Sequence, residues 1–156
     1  MTRRLMSARM VAAALVSLCA AAPALAQPFA KPEDAIAYRK AGFNVLGRHF
    51  GVVAAMANGR LPWDAKAAAD NADIALVVAR LPYAGFVPGS ERGGNTKADP
   101  KIWTETAQFN AAAQKMQDEM GKLAVAAKSG NQDQVKAAVG ATGAACKACH
   151  DNYRMQ

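Results

Sequence analysis

Apolar positions along this chain recur at intervals of three and four, the period of an α-helix viewed from one side. Ile36, Arg39, Phe43, Leu46, Phe50, Val53 and Ala57 form the first stripe. It begins at Pro32, with Glu33 and Asp34 where the helix dipole favours acids, and stops at Asn58-Gly59. A second helix is predicted from the N-cap Asp64 through Ile74, Val77 and Val78 to Leu81, where Pro82 ends it. Residues Pro82 to Ala98 are rich in Gly and Pro and read as a long loop. Asp99-Pro100 then opens a third helix carrying Ile102, Phe109, Ala113, Met116, Met120, Leu123 and Ala127, which Ser129-Gly130-Asn131 breaks. The fourth runs from about Gln132 to Tyr153, with Val135, Val139, Thr142, Cys146, Cys149 and Tyr153 near one face. No alternating strand pattern competes. The fold class is therefore all-α, an antiparallel four-helix bundle.

The first 26 residues follow another logic. Arg3, Arg4 and Arg9 precede a short apolar run from Met10 to Ala22, and Ala24-Leu25-Ala26 supplies a small-x-small cleavage site. These are the three parts of a secretory signal peptide. A spanning anchor needs roughly 20 apolar residues, and Pro23 cuts this run short. Residues 1–26 are thus expected to be cleaved on export to the periplasm, leaving one domain over 27–156 and no membrane attachment. The whole chain of 156 residues has a formal charge of +7 and three cysteines. Removing three arginines and Cys19 leaves 16 basic against 12 acidic side chains, or +4. That ordinary excess, with no Lys/Arg run, removes the case for a nucleic-acid partner.

The remaining cysteines lie in Cys146-Lys147-Ala148-Cys149-His150, a C-x-x-C-H run. Two thiols one helical turn apart can each add to a vinyl group of a porphyrin, and the following imidazole reaches the iron as axial ligand. This pattern implies one covalent haem c per chain through Cys146 and Cys149, with His150 on the metal. A disulfide over so short a loop stabilises little. A thioredoxin-like pair would want a preceding strand. A structural zinc lacks a fourth ligand, since His49 is the one other histidine.

Candidates for the sixth iron position are Met56, Met116, Met120, Met155 and His49. Met116 and Met120 lie on the third helix's core stripe. Met155 is too near His150 to reach round the ring. Met56 lies 13 residues beyond Phe43, about 20 Å along the helix. His49 sits about 240° round from Phe43, so it reads as a surface or interface residue.

With its C-terminal Cys146–His150 run followed by Asp151, Tyr153 and Arg154, the chain resembles the cytochromes c′, high-spin class II c-type cytochromes. Tyr38-Arg39-Lys40, His49-Phe50-Gly51 and the loop Leu81 to Gly89 carry the rest of the likeness, which covers residues 27–156. The resemblance implies a homodimeric four-helix bundle with five-coordinate iron. It places Phe43 over the iron's empty face, where the family often has Leu. It places Arg39 and Thr96 near a haem propionate, Lys40 at a contact where the family often has Gln, and Arg154 on the proximal side. Arg39 and Phe43, four residues apart, stand about 6 Å apart along one helix face.

Two functions follow as expectations. One is a non-enzymatic haem protein binding NO or CO at an apolar face and able to pass electrons to an unidentified redox partner. The other is a low-spin electron carrier with a Met sixth ligand, which should lie near Arg39 or Phe43.

Overall fold

The computed structural model describes residues 29–156. The expected export signal over 1–26, and Cys19 with it, lies outside the described residues. Helix α1 spans Pro32–Ala57, α2 Ala65–Val78, α3 Lys101–Thr104, α4 Thr106–Lys128 and α5 Gln132–Tyr153. The chain is an antiparallel four-helix bundle: α1 packs on α2, α2 on α4, and α4 on α5, with α3 as a short prelude to α4.

Local chemistry sets most of the ends. Pro32 occupies the first turn of α1, and Gly59, at φ +72°, closes it by donating from its N–H to the Met56 carbonyl. Asp64 caps α2 by accepting from the Ala67 N–H at 2.9 Å. Asn131 caps α5 by accepting from the Gln134 N–H at 3.0 Å. Gly130, at φ +70°, makes the tight reversal between α4 and α5.

Helix α2 departs from the sequence expectation at its end. It stops at Val78 rather than Leu81, and Leu81–Gly85 forms a 3-10 turn instead. The Pro82 ring would clash with the carbonyl four residues back, at Val78, so the α-helix cannot continue to it. The face that α2 buries is its alanine edge. Ile74, Val77 and Leu81 are exposed, while Ala68, Ala72, Ala75 and Ala79 are fully buried. The alanine edge lets α2 approach its neighbours closely, which a row of bulky side chains would prevent.

The expected third helix is broken at Glu105, which leaves helical geometry at φ −112°, ψ 40°. Thr104 and Thr106 flank the break, and both hydroxyls donate back to carbonyls of the preceding turn. Such back-bonding bends helices. Ile102 consequently packs with Phe109 and Tyr153 rather than in the main core of Leu46, Val53, Met116, Met120, Leu123, Val135 and Val139. Between α4 and α5, the Thr142 hydroxyl lies 3.2 Å from the Glu119 carbonyl.

Gly85 passes so close to α1 that a Cβ there would stand 2.5 Å from the Ala35 carbonyl oxygen and 2.9 Å from Arg39 Cβ. Gly85→Ala should therefore lower unfolding free energy by about 1–3 kcal/mol in urea titrations. Gly140→Ala, on an open helical face with nothing within 4 Å, should instead raise it by about 0.5–1 kcal/mol.

Candidate functional site

A cavity of about 580 Å³ opens between α1, α4, α5 and the 81–98 segment. That volume is in the range of cofactor sites, roughly 300–1,000 Å³. All eight residues singled out in the sequence line it: Arg39, Lys40, Phe43, Thr96, Cys146, Cys149, His150 and Arg154.

Helix α5 delivers Cys146, Cys149 and His150 to one wall because residues three and four apart share a helix face. Both cysteines are free thiols. Burial pushes both thiols above their ordinary pKa. Burial also pulls His150 down, Arg154 adds to that, and Asp151 opposes it. The net direction favours the neutral imidazole, the form that can coordinate a metal. The end of α5 is held in place from outside. Tyr153 donates from its hydroxyl to Glu105 Oε2 at 3.3 Å, and the Met155 N–H donates to the Lys97 carbonyl at 2.9 Å. An Ala98–Arg154 bridge completes the clamp.

Helix α1 supplies the facing residues. Phe43 meets Tyr83 edge-on at 5.8 Å and Phe86 at 6.3 Å. Phe86 in turn packs on Phe109 at 4.9 Å, so the aromatic wall is continuous from α1 to α4. Met116 and Met120 extend it.

Arg39 is the least expected element. Its side chain is only 2% exposed. Nη1 donates to the Gly85 carbonyl and Ser90 Oγ, both at 2.8 Å. Nη2 donates to the Ser90 carbonyl at 2.7 Å and Thr96 Oγ1 at 2.8 Å. The guanidinium lies 4.6 Å from the Phe86 ring centroid and 5.5 Å from that of Trp103. Burial lowers its pKa, partly offset by the charge of Glu91. Lys40 reaches the same segment, donating to the Asn95 carbonyl at 3.2 Å. Arg39, Lys40, Lys97 and Arg154 thus gather along the 95–98 side of the cavity, and among the described residues no carboxylate lines it.

This lining fits the haem predicted from the sequence. Its body is apolar and aromatic, one edge is cationic and suits two propionates, and two free thiols and a neutral imidazole share one wall. Of the sixth-ligand candidates, Met56, Met155 and His49 do not line the cavity. His49 Nδ1 pairs instead with Asn71 Oδ1 of α2 at 2.8 Å. Met116 and Met120 do reach the wall, at 3% and 0% exposure, locked in the core as their helical phase implied. No methionine lines the cavity from α1. Sequence reasoning did not find Ser90 or the cavity role of Tyr83. Both lie in an irregular segment whose side-chain directions no periodicity predicts.

The family described as cytochrome c′ matches residues 34–154. The cytochrome c′ of Rubrivivax gelatinosus is 48% identical over 126 residues, covering 81% of this chain and 98% of its own. Its crystal structure superposes with a TM-score of 0.78. Cytochrome c′ from Shewanella frigidimarina gives 0.79 at 41% identity, over 82% of this chain and 99% of that one. A nitric oxide complex of a variant cytochrome c′ from Alcaligenes xylosoxidans gives 0.77 at 41% identity, over 82% and 98%.

Arg39→Leu would remove four hydrogen bonds and leave the buried Ser90 carbonyl without a partner, and it should cost on the order of 3 kcal/mol in urea unfolding. Amide exchange should rise selectively across residues 85–96 of the variant; uniform exchange along the chain would contradict the role given to Arg39.

Proposed function

The chain belongs to the cytochrome c′ family, and from that premise we propose that it is an exported, periplasmic haem protein that binds NO or CO at a five-coordinate iron and can transfer electrons. The observation that carries this reading is one cavity lined by Cys146, Cys149 and His150 of α5 and by Phe43 of α1, which no methionine or histidine of α1 reaches. Haem c is its cofactor. Bound there, the haem supplies an iron coordination position for a diatomic gas and a one-electron redox couple.

The chain's own residues do the rest. Cys146 and Cys149 would hold the ring through thioether bonds, and His150 would take one axial position. Arg39, Lys40 and Thr96 would receive the propionate edge, with Arg154 on the side of His150. Phe43, on α1, would exclude water and anions from the iron's open side, because an apolar side chain cannot solvate them. Apart from His150, the described lining carries no histidine and no carboxylate to cleave a peroxide bond, which supports binding rather than turnover.

Export rests on the basic, apolar and small-residue pattern of residues 1–26. None of the described helices is long and apolar enough to cross a membrane. A homodimer is supported by the exposed row of Ile74, Val77 and Leu81, which a second copy of the chain would cover. The redox partner would meet the cavity mouth beside the exposed Lys40, Lys97 and Arg154.

Ferric and ferrous spectra should both be high-spin. A low-spin spectrum with an iron–thioether band would overturn this reading in favour of the alternative carrier. Phe43→Ala should accelerate CO association with the ferrous protein about tenfold or more by removing the ring that covers the iron. An unchanged rate in flash photolysis would show that Phe43 does not guard it.

A further inference from the structure

Tyr83 is the one cavity-lining hydroxyl that the proposed function leaves without a role. Its ring is fixed on three sides, by Phe43 at 5.8 Å, Phe109 at 5.9 Å and Phe86 at 6.2 Å. Behind it, Pro82 sits against Gly42 of α1 so closely that a Cβ there would meet its ring at 2.9 Å. The phenol therefore has little freedom to turn away. Of the other two hydroxyls in the lining, Thr96 accepts from Arg39 and Tyr153 donates to Glu105. The Tyr83 hydroxyl takes no hydrogen bond among the described residues and is not sealed off, and Tyr83 lines the cavity. The hydroxyl is therefore free to donate to an occupant of the cavity.

Burial raises the Tyr83 pKa well above its ordinary value, so the group remains an O–H donor at any physiological pH. Tyr83 and Phe43 line the same cavity, with their rings edge-on at 5.8 Å, so the phenol stands beside the residue assigned to the iron's open side.

We propose that Tyr83 donates a hydrogen bond to the oxygen of a diatomic ligand bound on the Phe43 side of the cavity. The pocket then does more than admit a small apolar gas. It favours ligands whose outer atom is an oxygen carrying partial negative charge. The proposal rests on the reading of an open iron face.

The test is the infrared C–O stretch of the ferrous CO complex, in light and heavy water, for the unaltered protein and Tyr83→Phe. The substitution keeps the ring and its packing. Expected are a solvent-deuterium shift in the unaltered protein, its loss in the variant, a higher C–O frequency there, and CO dissociation about two- to tenfold faster. A stretch insensitive to deuterium in the unaltered protein overturns the proposal without any variant, as does an identical frequency in both proteins. If the ferrous protein binds no CO at all, the open-face reading falls with it. If CO binds and ignores Tyr83, this proposal alone falls.

Discussion

A buried guanidinium organises the functional end of this molecule. Arg39 sits in an otherwise apolar helix stripe at 2% exposure, and among the described residues no carboxylate pairs with it. Desolvating a cation costs several kcal/mol, and that cost is recovered only if nearly every donor finds an acceptor. Gly85, Ser90 and Thr96 provide those acceptors, and Phe86 and Trp103 supply the aromatic faces. The irregular segment between α2 and α3 is therefore held in one conformation by a side chain of α1. A slack loop there would leave the cavity without its cationic edge.

From that anchor the rest of the site follows. The fixed segment presents Tyr83 and Phe86 to Phe43, and its last residues pair with the chain just after His150. The wall that carries the thiols and the wall that carries Phe43 are thus tied through the same stretch of backbone. The body of the bundle stays tight by a different device. Alanines on α2 bring that helix close to α1 and α4, while the bulkier Leu46, Met116 and Met120 pack where the core borders the cavity.

Much of this was legible in the residues. The caps and stops of α1 and α5, and the α4–α5 turn, are local features, decided by Pro32, Gly59, Gly130 and Asn131 within a turn of where they act. The C-x-x-C-H run is local as well, so its place on one wall of α5 was expected from spacing alone. The phase of α2 was not legible. Ile74 and Val77 look like core residues by hydrophobicity, yet the close approach of neighbouring helices selects the alanine edge and turns them to solvent. Nor was the break at Glu105, because the apolar stripe runs on from Ile102 to Phe109 across it.

The sequence by itself determined the helices, most of their ends and the donor set for the cofactor, since each rests on interactions within one or two turns of chain. The tertiary structure decided which faces meet, that Arg39 binds Ser90 and Thr96, and that the Tyr83 hydroxyl is left facing the cavity. Those outcomes join residues some 40 to 60 positions apart. No periodicity encodes such pairings, because they depend on the shape left over when every helix has packed.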